Sequence, residues 1–463
     1  MPTNVEGFAW EYIRARMSAT RTPGVSVSLQ RDSKPLLQRG YGYRCLEKGL
    51  PATAETVYGI ASISKTITAV AVMQLVERGL LSLDDLAEKY LPIELRVQGE
   101  PLRIWHLLSH TSGIPALGYA EALITGYMGL GGAWLPFSDP RDVLAWLEKG
   151  ARHWALARPG ERFFYLNEGY VALGIIVERL SGIRFAEYVR RYIAGPLGMR
   201  STTFDHREAL AAPLLATPYD ASQRPPRPAR VPTGMAADGG GWSTVVDLAK
   251  LMAALANGGR LGGAEILSRS SVGEMERPRA ELPAQLFGGD GYGLGVLVYP
   301  GFPGGRLVGH SGSLLVYTGF AGYVGEKGVS VAVLANADPG APQIAMSLAA
   351  AAAGADPWSL PFNTADRVLG LLEGVYTGFM GAVKVRVERV GDALLLESIE
   401  PPGRREVLFP ERLDPVEPVF LSARAGKRLR VVFRIDAGKG VVELLYDRYR
   451  LVKAVEPGGA MAG

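Results

Sequence analysis

The hydrophobic spacing of this chain changes period in a fixed order, and that order restricts the fold more than any single residue does. Residues 24–30, 36–43 and 56–60 read as strands, the first two joined into a hairpin by the charged turn Arg31-Asp32-Ser33-Lys34. From residue 63 to 77 the spacing turns helical, with Ile67, Val70, Met73, Leu75 and Val76 around one broad face and Gly79 at the end. The chain then stays mostly helical to about residue 234, with helices expected at 83–89, 104–108, 141–149, 168–180 and 186–193. A helix at 244–256 follows the glycine run 239–241. Strands return at 292–299, 306–310, 316–324 and 329–335, before a last helix at 341–353. Early and late strands thus bracket a helical middle, which makes an α+β domain whose one sheet is assembled from both ends of the segment.

Beyond Pro357 the character changes again. Residues 374–390, 393–400, 405–410, 419–422, 428–435 and 441–455 are strand-like, separated by glycine and proline turns. An all-β unit of this size must protect its edges, and closing into a barrel does so most simply. A chain of 463 residues exceeds what one hydrophobic core usually serves. The expected division is 1–355, with a helical subdomain over about 62–234, and a barrel over 362–463. The barrel segment has no histidine or cysteine, and nothing in it looks catalytic.

Composition removes several classes of function. The net charge of +4 is small, and the basic stretch Arg224-Pro225-Pro226-Arg227-Pro228-Ala229-Arg230 reads as a stiff surface loop, so nucleic acid is not an expected partner. The longest low-polarity run, 344–355, is too short for a membrane span, and the N-terminus lacks the apolar core of a secretion signal; a cytoplasmic protein is expected. His106, His110, His153, His206 and His310 form no metal-binding pattern, so neither a metal nor a cofactor is expected. The single Cys45 reads as a buried or half-buried thiol.

Three short segments carry candidate chemistry. Ser62 and Lys65 open the strongest helix three residues apart, where the two side chains can meet. A serine hydroxyl needs a base to become a nucleophile, and a desolvated lysine can act as one; equally, Ser62 or Ser64 could cap the helix beside a solvated lysine. Tyr165 and Asn167 fall on one side of an extended segment. The phenol suits proton transfer and the amide suits positioning, but Tyr165 also reads as a core aromatic and Asn167 as an N-cap. In Gly309-His310-Ser311-Gly312-Ser313 the glycines admit close backbone approach. The Ser313 N–H could join that of Ser62 in an oxyanion hole, and His310 could bind a substrate carboxylate or share in proton transfer, or be a turn residue on an edge strand.

Together these segments resemble the serine β-lactamases, penicillin-binding proteins and related esterases and D-amino-acid peptidases, nearest to the class C β-lactamase and D-aminopeptidase/esterase branch. Tyr58-Gly59-Ile60-Ala61-Ser62-Ile63-Ser64-Lys65 carries the first motif, Tyr165-Leu166-Asn167 the second and His310-Ser311-Gly312 the third. Residues 107–115 and 241–248 are further landmarks of the resemblance, which covers roughly residues 10–350. It implies an antiparallel sheet flanked by helices with a helical subdomain inserted, Ser62 as acylated nucleophile, Lys65 as its activator, Tyr165 as general acid/base and Asn167 as positioner. His110 lies in a landmark that is usually structural. The third motif has His310 where β-lactamases of this branch commonly have lysine, which points away from β-lactam turnover. The implied activity is a peptidase on small peptides, including ones with D-residues, with a carboxylesterase as alternative and a non-catalytic binding protein less favoured. Gly374-Val375-Tyr376 resembles the start of a lipocalin-like barrel, implying a lid or a homo-oligomer assembled through it, with a lipid carrier as a competing reading.

Overall fold

The computed structural model describes residues 5–128, 142–231, 234–424 and 427–453. The chain forms two compact units, Met1–Asp356 and Pro357–Gly463. In the first, nine antiparallel strands make one sheet in the spatial order Ala280–Glu281, Gly291–Tyr292, Leu297–Tyr299, Leu307–Ser313, Thr318–Val324, Val329–Ala335, Gly24–Arg31, Lys34–Cys45, Leu50–Pro51. The N-terminal hairpin therefore continues the late strands, with Val25 opposite Ala335 and Arg31 opposite Val329. Gly24–Arg31, Thr318–Val324 and Val329–Ala335 are buried on both faces nearly throughout. Helices Val245–Ala256 and Ala341–Ala353 pack on them, and Val5–Thr20 packs on the latter helix. The hairpin turn has positive φ at Asp32 and Ser33, the backbone that suits the twist of a two-residue connection.

Helix Ser64–Glu77 is the centre of the helical part. Every residue from Ser64 to Leu75 is buried, so the broad apolar face of the sequence is a helix enclosed all round. Helix Asn167–Ser181 packs along it.

The local expectations fail where packing or side-chain bonding competes with spacing. A helix at 83–89 is reduced to the single turn Ala87–Lys89: Asp85 Oδ2 accepts from the Ser82 N–H and Ser82 Oγ from the Asp84 N–H, holding the segment in a turn. The strand expected at 56–60 is only Tyr58–Gly59, paired with Trp242–Ser243. The strand expected at 292–299 breaks at Gly295, which has φ 74° and sits where a Cβ would lie 2.5 Å from that of Ala69. Its carbonyl accepts from Thr66 Oγ1, so the strand yields to contact with the central helix. The helix expected from residue 141 is described over Asp142–His153. Val5–Thr20 was not legible as a helix because it buries only Phe8, Ala9, Tyr12 and Ile13, a narrow stripe. Cys45 is buried at the end of its strand as a free thiol.

In the second unit helix Pro361–Leu372 precedes the barrel, which the sequence places from residue 362; Pro361 at its first turn is compatible with helix. Eight strands then close into an antiparallel barrel: Gly374–Gly378, Val383–Val390, Ala393–Glu400, Arg405–Arg412, Val419–Arg424, Lys427–Asp436, Val441–Tyr446 and Tyr449–Lys453. Alternate residues such as Val385, Val387, Leu394, Leu396, Phe420, Phe433, Val442 and Leu444 are buried together with Val368, Leu369 and Leu372 of the helix. Phe433 meets Phe420 and Tyr376 edge to face, with centroids 5.5 and 5.8 Å away. These side chains pack against one another in the barrel interior.

Candidate active site

Ser62 lies in the 3-10 turn Ala61–Ile63 that leads into helix Ser64–Glu77. Ala61 before it takes a left-handed φ of 49°, a strained conformation that persists only where neighbours enforce it. The Ile60 N–H donates to Gly241 O at 2.9 Å, and the Gly241 N–H donates to Ser64 Oγ at 3.0 Å. On the other side Gly312 comes so close that a Cβ there would stand 2.3 Å from Ile60 O. The turn is thus clamped between the glycine run and the end of strand Leu307–Ser313.

Lys65 is fully buried. Its Nζ lies 3.0 Å from Ser62 Oγ, 2.8 Å from Asn167 Oδ1 and 2.8 Å from the main-chain oxygen of Asp238. The Tyr165 ring centroid is 4.8 Å from the same nitrogen. So the first and second motifs meet at one amine. Asn167 is not the N-cap: Leu166 holds that position, and the amide of Asn167 serves Lys65.

His110 orders this arrangement from behind. It is buried at a left-handed φ of 58°. Its Nδ1 accepts from the Leu166 N–H at 3.0 Å, its carbonyl accepts from the Phe164 N–H at 2.8 Å, and its ring lies on that of Tyr165 with centroids 4.2 Å apart. Burial, reinforced by Lys65 and His310, holds its pKa well below the ordinary histidine value. His110 is a positioning residue in a landmark read as structural.

His310 is placed differently from its sequence reading. It is buried, with Nε2 2.9 Å from Tyr292 Oη and Nδ1 2.6 Å from Ser311 O. Burial and then Lys65 lower its pKa to about 3, against the opposing Ser311 hydrogen bond. The consistent assignment is a neutral ring that donates from Nδ1 to Ser311 O and accepts at Nε2 from Tyr292. With both ring nitrogens engaged by Tyr292 and Ser311, His310 braces the strand that ends at Ser313.

Ser62, Tyr165, Asn167 and Ser313 border one cleft of about 150 Å³, with Ala61, Ala120, Glu121, Ile124, Met235, Asp238, Gly239 and Leu314 completing it. A larger depression of about 770 Å³, lined by Glu55, Arg190 and Thr203 among others, contains none of the motif residues; chemistry, not size, selects the smaller one. Asp238 was missed in the sequence, its only signal being its place immediately before the glycine run. Glu168, next to Asn167, is also buried, with Oε1 accepting from the Tyr119 N–H at 3.1 Å. Burial raises its pKa to about 7, main-chain hydrogen bonds oppose this, and Glu121 and Asp238 add to it. Among the described residues no group of histidine, cysteine or carboxylate side chains is arranged to hold a metal ion, and no helix is long and apolar enough to cross a membrane.

This sheet with an inserted helical part, and a serine–lysine pair at the start of the enclosed helix, is the architecture of a class of serine hydrolases. Residues 11–355 match the Beta-lactamase family, and the chain belongs to it. Residues 357–452 match the family described as the Pab87 octamerisation domain. The octameric penicillin-binding protein homologue from Pyrococcus abyssi is 42% identical with a TM-score of 0.89, over 96% of this chain and 99% of that one. A D-stereospecific amidohydrolase from Streptomyces sp. shares the fold of the first unit at 24% identity and a TM-score of 0.59, over 73% of this chain and 98% of that one. Protein flp of Staphylococcus aureus (strain MW2) is 31% identical over 185 residues, 39% of this chain, and the match spans 35% of that protein's length.

Proposed function

We propose that the chain is a serine hydrolase working through an acyl-enzyme on Ser62, with small peptides, including D-residue peptides, as substrates. The observation that carries this reading is the Lys65 Nζ contact with Ser62 Oγ. The two other Nζ partners, Asn167 Oδ1 and Asp238 O, are carbonyl oxygens and can only accept. They occupy two N–H groups, so a neutral amine would turn its lone pair toward the serine hydroxyl. Ser62 Oγ then attacks the scissile carbonyl carbon as its proton passes to Lys65. The N–H groups of Ser62 and Ser313 receive the developing oxyanion. The C–N bond breaks, Tyr165 delivers a proton to the leaving amine, and Lys65 returns one to Tyr165. Water attacks the Ser62 ester in the second half, giving its proton to the same pair, and release of the acid restores the serine hydroxyl.

The neutral His310 favours substrates that do not depend on a carboxylate contact at the third motif, which disfavours β-lactams. The 42% identity to a penicillin-binding protein homologue over nearly the whole chain supports the hydrolase reading. That homologue is octameric, and with the match of residues 357–452 it supports a homo-oligomer assembled through the C-terminal barrel.

The test is intact-mass labelling with a fluorophosphonate. Wild type is expected to gain one adduct mapping to Ser62, and Ser62→Ala none. A folded wild type that stays unlabelled beside a labelled control enzyme overturns the covalent reading. Turnover confined to p-nitrophenyl esters, with aminoacyl anilides and peptides untouched, would assign a carboxylesterase instead.

A further inference from the structure

His206 takes no part in the hydrolytic steps, yet its ring ties together two segments that frame the Ser62 cleft. It is half-buried at the start of helix His206–Leu210. Its Nδ1 lies 3.3 Å from Trp242 Nε1, and its Nε2 lies 2.9 Å from the main-chain oxygen of Met235. An indole N–H can only donate, so Nδ1 carries a lone pair and the ring proton sits on Nε2, which donates to Met235 O. The Gly234 N–H, 3.3 Å from the same Nε2, finds no lone pair there in this tautomer.

Met235 borders the cleft, and the residues after it are fixed from inside. The Gly240 N–H donates to Ala236 O at 2.7 Å, Thr68 Oγ1 to Ala237 O at 2.7 Å, and Lys65 Nζ to Asp238 O at 2.8 Å. A Cβ on Gly174 would stand 2.5 Å from that of Ala237, so this part of the loop has little room to shift. Gly234 and Met235 are held by side chains from outside the loop: Tyr119 Oη donates to Gly234 O at 3.1 Å, and His206 to Met235 O. The Met235 side chain lies over Gly239, where a Cβ would be 3.0 Å from its Sδ. With Ala120, Ile124 and Leu314 it gives a cleft of about 150 Å³ its apolar side. A thioether chain adapts to its surroundings, so where it stands depends on how its main chain is held.

We propose that His206 is a positioning residue that holds the Met235 side of the cleft in place and so limits the size of the acyl group transferred to Ser62. The size limit rests on the acyl-transfer reading; the hold on Met235 does not. While the His206–Met235 bond stands, a longer acyl chain has to displace Met235 from the cleft. Without the bond, Gly234 and Met235 can move outward while Asp238 O stays on Lys65. Longer acyl groups are then admitted, and the change falls on KM more than on kcat.

The experiment compares His206→Ala, His206→Asn and His206→Gln with wild type. The Asn side-chain oxygen can replace Nδ1 as acceptor for Trp242, whereas the Gln side-chain N–H can replace the donor to Met235. Amide hydrogen exchange over residues 234–241 is expected to quicken about fivefold in the Ala and Asn variants, as loss of one hydrogen bond does, and to stay near wild type in the Gln variant. Wild type should prefer p-nitrophenyl acetate to the butyrate. The ratio of kcat/KM values should move about fivefold toward butyrate in the Ala and Asn variants, through KM, and hold in the Gln variant. Unchanged exchange in His206→Ala, a Gln variant as loose as the Ala one, or an Asn variant like wild type overturns the hold on Met235. Faster exchange with an unaltered ester ratio overturns the size limit. A wild type that turns over neither ester and takes no fluorophosphonate removes the acyl-enzyme reading and the size limit with it, while exchange still decides the hold.

Discussion

The Leu166 N–H donates a 3.0 Å hydrogen bond to Nδ1 of the buried His110, midway between Tyr165 and Asn167, which both approach Lys65. One imidazole thereby sets where the second motif stands. His110→Ala is expected to lower kcat on a chromogenic ester tenfold or more and to cost stability of about 2–4 kcal/mol, as truncation of a buried ring does. Because burial lowers its pKa, any inflection His110 contributes to the wild-type pH–rate profile should lie on the acid side of an ordinary histidine's. Steady-state kinetics over that range and thermal unfolding check both statements.

Tyr165→Phe removes a hydroxyl and keeps the ring on His110. Turnover should fall on the order of a hundredfold, the usual contribution of a general acid/base, with the melting temperature nearly unchanged. Pre-steady-state bursts separate the steps. If Tyr165 serves both, burst and steady rates fall together; wild-type rates in both phases would take Tyr165 out of the mechanism.

Gly312→Ala places a methyl group 2.3 Å from Ile60 O, where backbone must move. The expected cost is about 1–3 kcal/mol, typical of overpacking, and the displaced element is the turn that carries Ser62. Activity on all substrates should fall together. A variant as stable and as active as wild type would show that strand Leu307–Ser313 does not position the nucleophile.

Glu168 and His310 give opposite pH dependences. Glu168 has its pKa raised from 4.5 to about 7. Between those values the folded chain keeps a proton that the unfolded chain loses, so stability falls as pH rises, by on the order of 3 kcal/mol in full. Glu168→Gln removes this loss while retaining an acceptor for the Tyr119 N–H. Its melting temperature should match wild type near pH 4.5 and exceed it at pH 8; a difference independent of pH refutes the assignment. His310, lowered from 6.5 to about 3, works the other way. Unfolded chains take up a proton first as pH falls through that range, and stability is lost with acid.

In the second unit Phe433 is fully buried between Tyr376 and Phe420. Phe433→Ala in the full chain should cost about 3–5 kcal/mol of that unit's stability. If the barrel carries assembly, light scattering should report a mass falling toward the 49.6 kDa of one chain. Unchanged assembly by a variant with a melted barrel would place the contacts elsewhere.

The sequence by itself determined the features that depend on local repetition. The switches of hydrophobic period announced one sheet shared by residues 24–43 and 306–335 with helices between, because alternation and 3.6-residue spacing follow directly from which faces are buried. The three-residue interval from Ser62 to Lys65 implied a meeting, since the turns of one helix start bring such residues together. Tertiary structure alone decided the rest. Asp238 lies 173 positions from Lys65 and offers it a main-chain oxygen, a group that every residue possesses and that leaves no mark in a side-chain pattern. His310 reads as a residue for a substrate carboxylate or proton transfer, or as a turn residue on an edge strand, until Tyr292 and Ser311 enclose it and burial lowers its pKa. Glu168 opens a helix as a solvated acid would, and only the tertiary fold buries it, with the Tyr119 N–H on its Oε1. Spacing along a chain encodes the faces of its elements, whereas the charge a side chain keeps depends on what distant segments remove from it: water.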